Sequence, residues 1–118
     1  MSVLRNYYVI AGYDLTGYST DIFDEWKWTE DGEKYTDYKK KGNIQIFDDP
    51  MNGYHFYFGY ILAAGDEYDF DTESFSIPEI ENLYKDVSKK LNILIEKGII
   101  QQKACEIPFK IIVFEECS

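Results

Sequence analysis

The stretch from Ser76 to Gly98, SIPEIENLYKDVSKKLNILIEKG, decides the fold. Ser76 and Glu79 stand at capping-box spacing, where each side chain covers a backbone N–H of the first turn. Phe75 and Ile80 flank that box as a hydrophobic staple, and Pro78 sits in the first turn, where no N–H is needed. Ile80, Leu83, Tyr84, Val87, Leu91, Leu94 and Ile95 recur on one helical face. Gly98 closes the run, and Leu94 with Ile99 supplies the apolar contact of a Schellman ending. Glu79 and Glu81 early, with Lys89, Lys90 and Lys97 late, suit the helix dipole. The spacing predicts one amphipathic helix roughly 30 Å long, at about 1.5 Å per residue. Such a helix needs an apolar surface to lie on, and the flanking sequence supplies it as strands.

Upstream, Tyr54–Ala63 reads YHFYFGYILA. One face of that strand carries Tyr54, Phe56, Phe58, Tyr60 and Leu62, the other His55, Tyr57, Gly59, Ile61 and Ala63. On an open edge so apolar a strand would aggregate, so it is expected to be central or covered by the helix. Asn43–Phe47 is a second strand, joined to the first through the turn chemistry of Asp49-Pro50 and Asn52-Gly53. Tyr7–Ala11 and Phe109–Glu115 read as buried strands, with Pro108 tolerated at the start of the latter. Between Thr20 and Tyr38 two readings compete. Thr20, Phe23 and Trp26 could open a short helix. The preferred reading is a strand over Thr20–Trp28 that returns along Lys34–Tyr38 through the hairpin signal Glu30-Asp31-Gly32. Lys39-Lys40-Lys41 with Gly42 is a solvated connection, and Gly65–Glu73 an acidic one. Residues 1–118 thus form a single α+β domain. It has an antiparallel sheet of about four to six strands, one long helix packed on one face, and the final strand beside an early one.

The charge balance bounds the function. Acidic residues number 22 against 12 basic, a net charge of −10. That surplus speaks against direct binding to nucleic acid or an anionic membrane, whose phosphates are met by Lys and Arg. It suits a basic protein partner, or plain solubility. No apolar run reaches transmembrane length, and the first residues lack the pattern of a signal peptide. Cys105 and Cys117 are too few for a disulfide framework, which predicts free thiols and cytoplasmic residence.

Catalytic and metal-binding patterns are thin. His55 is the only histidine, and a packed or edge histidine is the expected role for it. No serine lies in a Gly-x-Ser-x-Gly context, Cys105 has no His and Asn companions nearby, and no glycine loop is shaped for phosphate. Asp69, Asp71 and Glu73 alternate like the start of a calcium loop, but Ile80 stands where its bidentate Glu belongs. A loose divalent site among Asp66, Asp69 and Asp71 is the residual option. No cofactor, no metal and no enzymatic activity are therefore expected.

Acids interleaved with aromatics form the one constellation that suggests a role. The first segment holds Asp14, Asp21, Asp24, Glu25, Glu30, Asp31, Glu33 and Asp37, with Trp26, Trp28 and Tyr35 among them. The second holds Asp66, Glu67, Asp69, Asp71 and Glu73 around Tyr68 and Phe70, and if extended it repeats a carboxylate about every 6.6 Å. Tyr and Trp are common interface anchors, and rows of carboxylate can occupy a groove built for nucleic acid. The expected function is a small acidic inhibitor that masks the nucleic-acid-binding surface of a basic enzyme. By class-level analogy this suits phage counter-defence and toxin-immunity proteins, placed in the host cytoplasm if phage-encoded. The expected partner-binding residues are Asp24, Glu25, Trp26, Trp28, Glu30, Asp31, Tyr35, Asp66, Glu67, Tyr68, Asp69, Asp71 and Glu73, with Lys39–Lys41 facing away. Two alternatives are a small-ligand binder with a pocket of Tyr7, Tyr57, Tyr60 and Tyr84, and a structural subunit.

Overall fold

The computed structural model describes residues 5–49, 55–66, 69 and 74–117, with Asp49 and Cys117 by their backbone alone. The predicted helix forms over Ile77–Glu96 and is α3 in chain order. Both capping-box bonds are made: Glu79 N–H donates to Ser76 Oγ at 3.3 Å, and Ser76 N–H to Glu79 Oε2 at 3.2 Å. At the other end Gly98 takes φ 78°, Gly98 N–H donates to Ile95 O, and Ile99 N–H to Leu94 O. This is the Schellman ending that the sequence implies. Ser76→Ala should cost about 1 kcal/mol in urea unfolding, because it removes the Oγ that accepts from Glu79 N–H.

Four strands make one antiparallel sheet in the order β2-β3-β1-β4. They are β1 (Arg5–Asp14), β2 (Ile44–Asp49), β3 (His55–Asp66) and β4 (Lys110–Cys117). The aromatic strand β3 is central, and β4 inserts beside β1. A bulge at Val9/Ile10 leaves Leu62 out of the β1–β3 ladder. The Asp49–Gly53 turn lies largely outside the described residues.

The two faces are buried in different ways. On one, Val87, Leu91 and Leu94 of α3 pack onto Tyr13, Ile46, Phe56 and Phe58. The other face has no helix on it among the described residues; it closes on itself. Phe47 of edge strand β2 and Phe114 of edge strand β4 have ring centroids 4.9 Å apart. A flat sheet would hold residues three strands apart at about 14 Å. The sheet is therefore strongly curled, with Tyr8, Ile10, Phe47 and Ile61 buried in its concave side. Lys39 closes the mouth, 3.7 Å from Glu116 and over the Phe47 ring. His55 lies in this aromatic lining, stacked on Tyr57 at 4.5 Å, with Nε2 buried and lacking a hydrogen-bond partner among the described residues.

The expected hairpin over Thr20–Tyr38 is not formed. Those residues make two short helices, α1 (Asp21–Trp26) and α2 (Glu30–Thr36). The Thr20 hydroxyl donates to Gly98 O at 2.5 Å and Ile99 O at 3.0 Å, which pins the start of α1 to the end of α3. Thr29 caps α2 by accepting from Gly32 N–H at 3.1 Å. Gly32 is there for closeness, not for a turn: a Cβ on it would lie 2.1 Å from Trp26 O.

Candidate partner-binding surface

The helices α1 and α2 form a ledge beside β2, held there by one buried amide. Gln45 Nε2 donates to Lys34 O at 2.7 Å, and its Oε1 accepts from Tyr38 N–H at 3.0 Å. The β2 edge is thus covered by α2, while Phe23 is the α1 residue that enters the core. Trp26 and Tyr35, expected as anchors, are half-buried scaffold. Their rings lie 5.6 Å apart, and Tyr35 reaches Phe58 at 6.3 Å. Asp31 is likewise occupied: Lys97 donates to it at 2.7 Å and the Trp26 indole N–H at 3.4 Å. These two bonds, that of Lys97 foremost, hold the Asp31 carboxyl below its ordinary range, and the same ion pair raises Lys97.

Trp28 behaves differently. It projects from the α1–α2 junction and is 77% exposed. Asp24, Glu25 and Glu30 around it are also exposed. Lys27 Nζ sits 5.6 Å from the Trp28 ring centroid and 5.5 Å from that of Phe23, so the indole face already accepts a cation. Lys27 also lies 3.8 Å from Asp24 and 3.5 Å from Asp48. A cleft of about 190 Å³ opens beside Trp28, floored by Phe23 and Ile46 and rimmed by Glu33, Asp37 and Asp48 together with Lys27 and Lys39. An apolar floor, an aromatic wall and a carboxylate rim match the stem and head of a long cationic side chain.

Only Asp66 and Asp69 of the second acidic segment are described. Of its expected site residues, Glu67, Tyr68, Asp71 and Glu73 lie outside the described residues. Asp69 is exposed, and its N–H donates to Asp66 Oδ1 at 2.8 Å. Asp66 and Asp69 share a groove with Lys39, Lys40 and Lys41. Lys39 borders the Trp28 cleft as well. The lysines therefore stand between the two acidic regions instead of facing away, because the β2 approach crosses the mouth of the concave core. The tyrosines expected to line a ligand pocket do not converge: Tyr57 joins the concave cluster, Tyr60 packs against the helix-covered core, and Tyr84 lies on α3 against Phe109. A broader open groove of about 730 Å³ lies between α2, β2 and α3, with Asp31, Asp86, Lys34 and Lys90 on its walls.

Among the described residues, no group of three or more His, Cys, Asp or Glu side chains is arranged to hold a metal ion. No described helix is long and apolar enough to cross a membrane. Cys105 is an exposed free thiol, and the Cys117 side chain lies outside the described residues. No family model, curated protein or solved structure matches this chain.

Proposed function

We propose that this chain is a protein-binding inhibitor that attaches through the α1–α2 ledge to a basic partner and masks its nucleic-acid-binding surface. The observation that carries the reading is the cleft beside Trp28. An arginine or lysine of the partner would take the place of Lys27 on the indole face, with its aliphatic stem along the cleft floor and its charge among Glu33, Asp37 and Asp48. Side chains that a protein uses to hold phosphates are of this kind, so the same contacts exclude nucleic acid. The surrounding Asp24, Glu25 and Glu30 supply long-range attraction, which raises association rate more than intrinsic affinity.

This reading narrows the binding residues to the first acidic segment. It leaves Trp26, Tyr35 and Asp31 as the framework that holds Trp28 out. Trp28→Ala should weaken capture of the partner by at least tenfold, since buried aromatic anchors are worth about 2 kcal/mol or more at interface centres. Reversing Asp24, Glu25 and Glu30 to Lys should slow association, most strongly at low salt, while Glu96→Lys on α3 leaves it near wild type. The measurement is retention of partner from a cell lysate on immobilised wild type and variants, followed by association kinetics with the purified partner. Equal binding by wild type, Trp28→Ala and the triple reversal would refute the reading.

A further inference from the structure

At the opposite end of the sheet from α2, the outer edge of β4 carries no strand among the described residues. Edge strands are ordinarily guarded by charge, proline or bulges along their length. Here Pro108 and Lys110 stand at the start and Glu115 and Glu116 at the end, but Ile111, Ile112, Val113 and Phe114 between them are all apolar. Ile112 and Phe114 turn into the concave core. By alternation Ile111 and Val113 point to the helix side, where they are 47% and 74% exposed. The neighbouring stretch of α3 is equally uncovered. Tyr84 packs its ring edge on Phe109 yet stays 48% exposed, and Ile77, two turns earlier, is more exposed still. An open backbone edge is thus continuous with an exposed apolar strip on the helix side of the sheet.

We infer that this edge is a homodimer interface, in which β4 pairs antiparallel with β4 of a second copy about a two-fold axis at Val113. The strand is self-complementary in that register. Val113 meets Val113, Ile112 meets Phe114, Ile111 meets Glu115, and Lys110 meets Glu116 of the second copy, twice by symmetry. A two-fold axis normal to the sheet keeps each face with its like, so only registers that pair residues of the same parity are allowed. Centring on Ile112 would set Lys110 against Phe114, and centring on Phe114 would set Ile112 against Glu116. The Val113 register sets Lys110 opposite Glu116 and groups Val113, Ile112 and Phe114 at the centre, with Ile111 against the aliphatic stem of Glu115. An unrelated strand would have no reason to repeat that pattern in reverse. The four-stranded sheet becomes one continuous sheet across both copies, and the β4 backbone finds the partners that an apolar edge otherwise takes from aggregation. The dimer would carry two Trp28 clefts, which suits a partner carrying two basic grooves.

Sedimentation equilibrium tests the inference. Wild type should have twice the 13.9 kDa of the chain at high micromolar concentration. Val113→Lys, which places two ammonium groups in contact at the axis, should sediment as a monomer with the far-ultraviolet dichroism of wild type. Lys110→Glu and Glu116→Lys should each be monomeric alone, since each sets like charges opposite one another. Mixed together they should form a heterodimer, because every substituted side chain then faces its opposite charge. A monomeric wild type would overturn the inference, and so would a dimer that survives Val113→Lys or a mixture that fails to associate.

Discussion

Gly12→Ala should destabilise the protein by on the order of 4 kcal/mol or more, in the exceptional range for a single methyl group. Gly12 on β1 faces Gly59 on β3, in the middle of the sheet. A Cβ on Gly12 would lie 2.0 Å from Phe58 O and 2.5 Å from Gly59 Cα, both backbone atoms of a central strand. Neither atom belongs to a side chain that could rotate aside. Relief would require moving β1 and β3 apart, where both cores meet: Phe58 packs under α3 and Ile61 fills the concave side. The glycine pair thus fits the curl that brings Phe47 and Phe114 into contact from opposite edges. Urea unfolding measures the loss. A midpoint near that of wild type would mean that the strands part easily and that the curl is not tightly specified.

Leu91→Ala should cost about 2–5 kcal/mol, the range for a buried leucine whose cavity cannot fully collapse. Leu91 is a buried residue of the α3 stripe, set between Val87 and Leu94 in the helix-covered core. Strands rigidly paired beneath it limit how far the site can close, which favours the upper part of that range. The same truncation at Tyr84 removes a ring that is half in solvent and should cost far less. An unchanged unfolding midpoint for Leu91→Ala would mean that α3 does not lie on this sheet.

Much of this scaffold is written locally in the sequence. The capping box of Ser76 and Glu79, the stripe through Leu91 and the turn at Gly98 use neighbours within one or two turns, so pattern alone locates the helix to within a residue or two. The aromatic run before Ile61 also declares itself, because no edge position tolerates it. The Thr20–Tyr38 segment misleads for a definable reason. Gly32 after Asp31 has the chemistry of a hairpin turn, but glycine also serves where backbones touch, and here it lets α2 cross the end of α1. Thr20 with Phe23 and Trp26 was the competing helix signal, and it prevailed because Thr20 is tied to the end of α3, seventy-eight residues away. No local pattern reports such a tie.

The candidate surface was legible in kind and not in detail. Composition marks the acidic segment between Asp21 and Asp37, and it names the tryptophans. It cannot distinguish Trp26, turned inward against Tyr35, from Trp28, turned out, because both follow a lysine or glutamate in the same short run. Nor does it show Lys39 reaching over Phe47 to separate Asp66 and Asp69 from the ledge. Those facts come from the curl of the sheet, which rests on contacts between residues as distant as Phe47 and Phe114.

Displacement by nucleic acid tests the central claim most directly. Cell lysate is passed over the immobilised chain, and the retained protein is challenged with double-stranded DNA and, separately, with RNA. If the ledge occupies a nucleic-acid groove, one of the two should release the retained partner, in competition with the immobilised chain. The released protein should itself bind that nucleic acid, and a column carrying Trp28→Ala should retain far less of it. Retention that neither nucleic acid disturbs, with wild type and Trp28→Ala columns holding the same protein equally, would contradict the account.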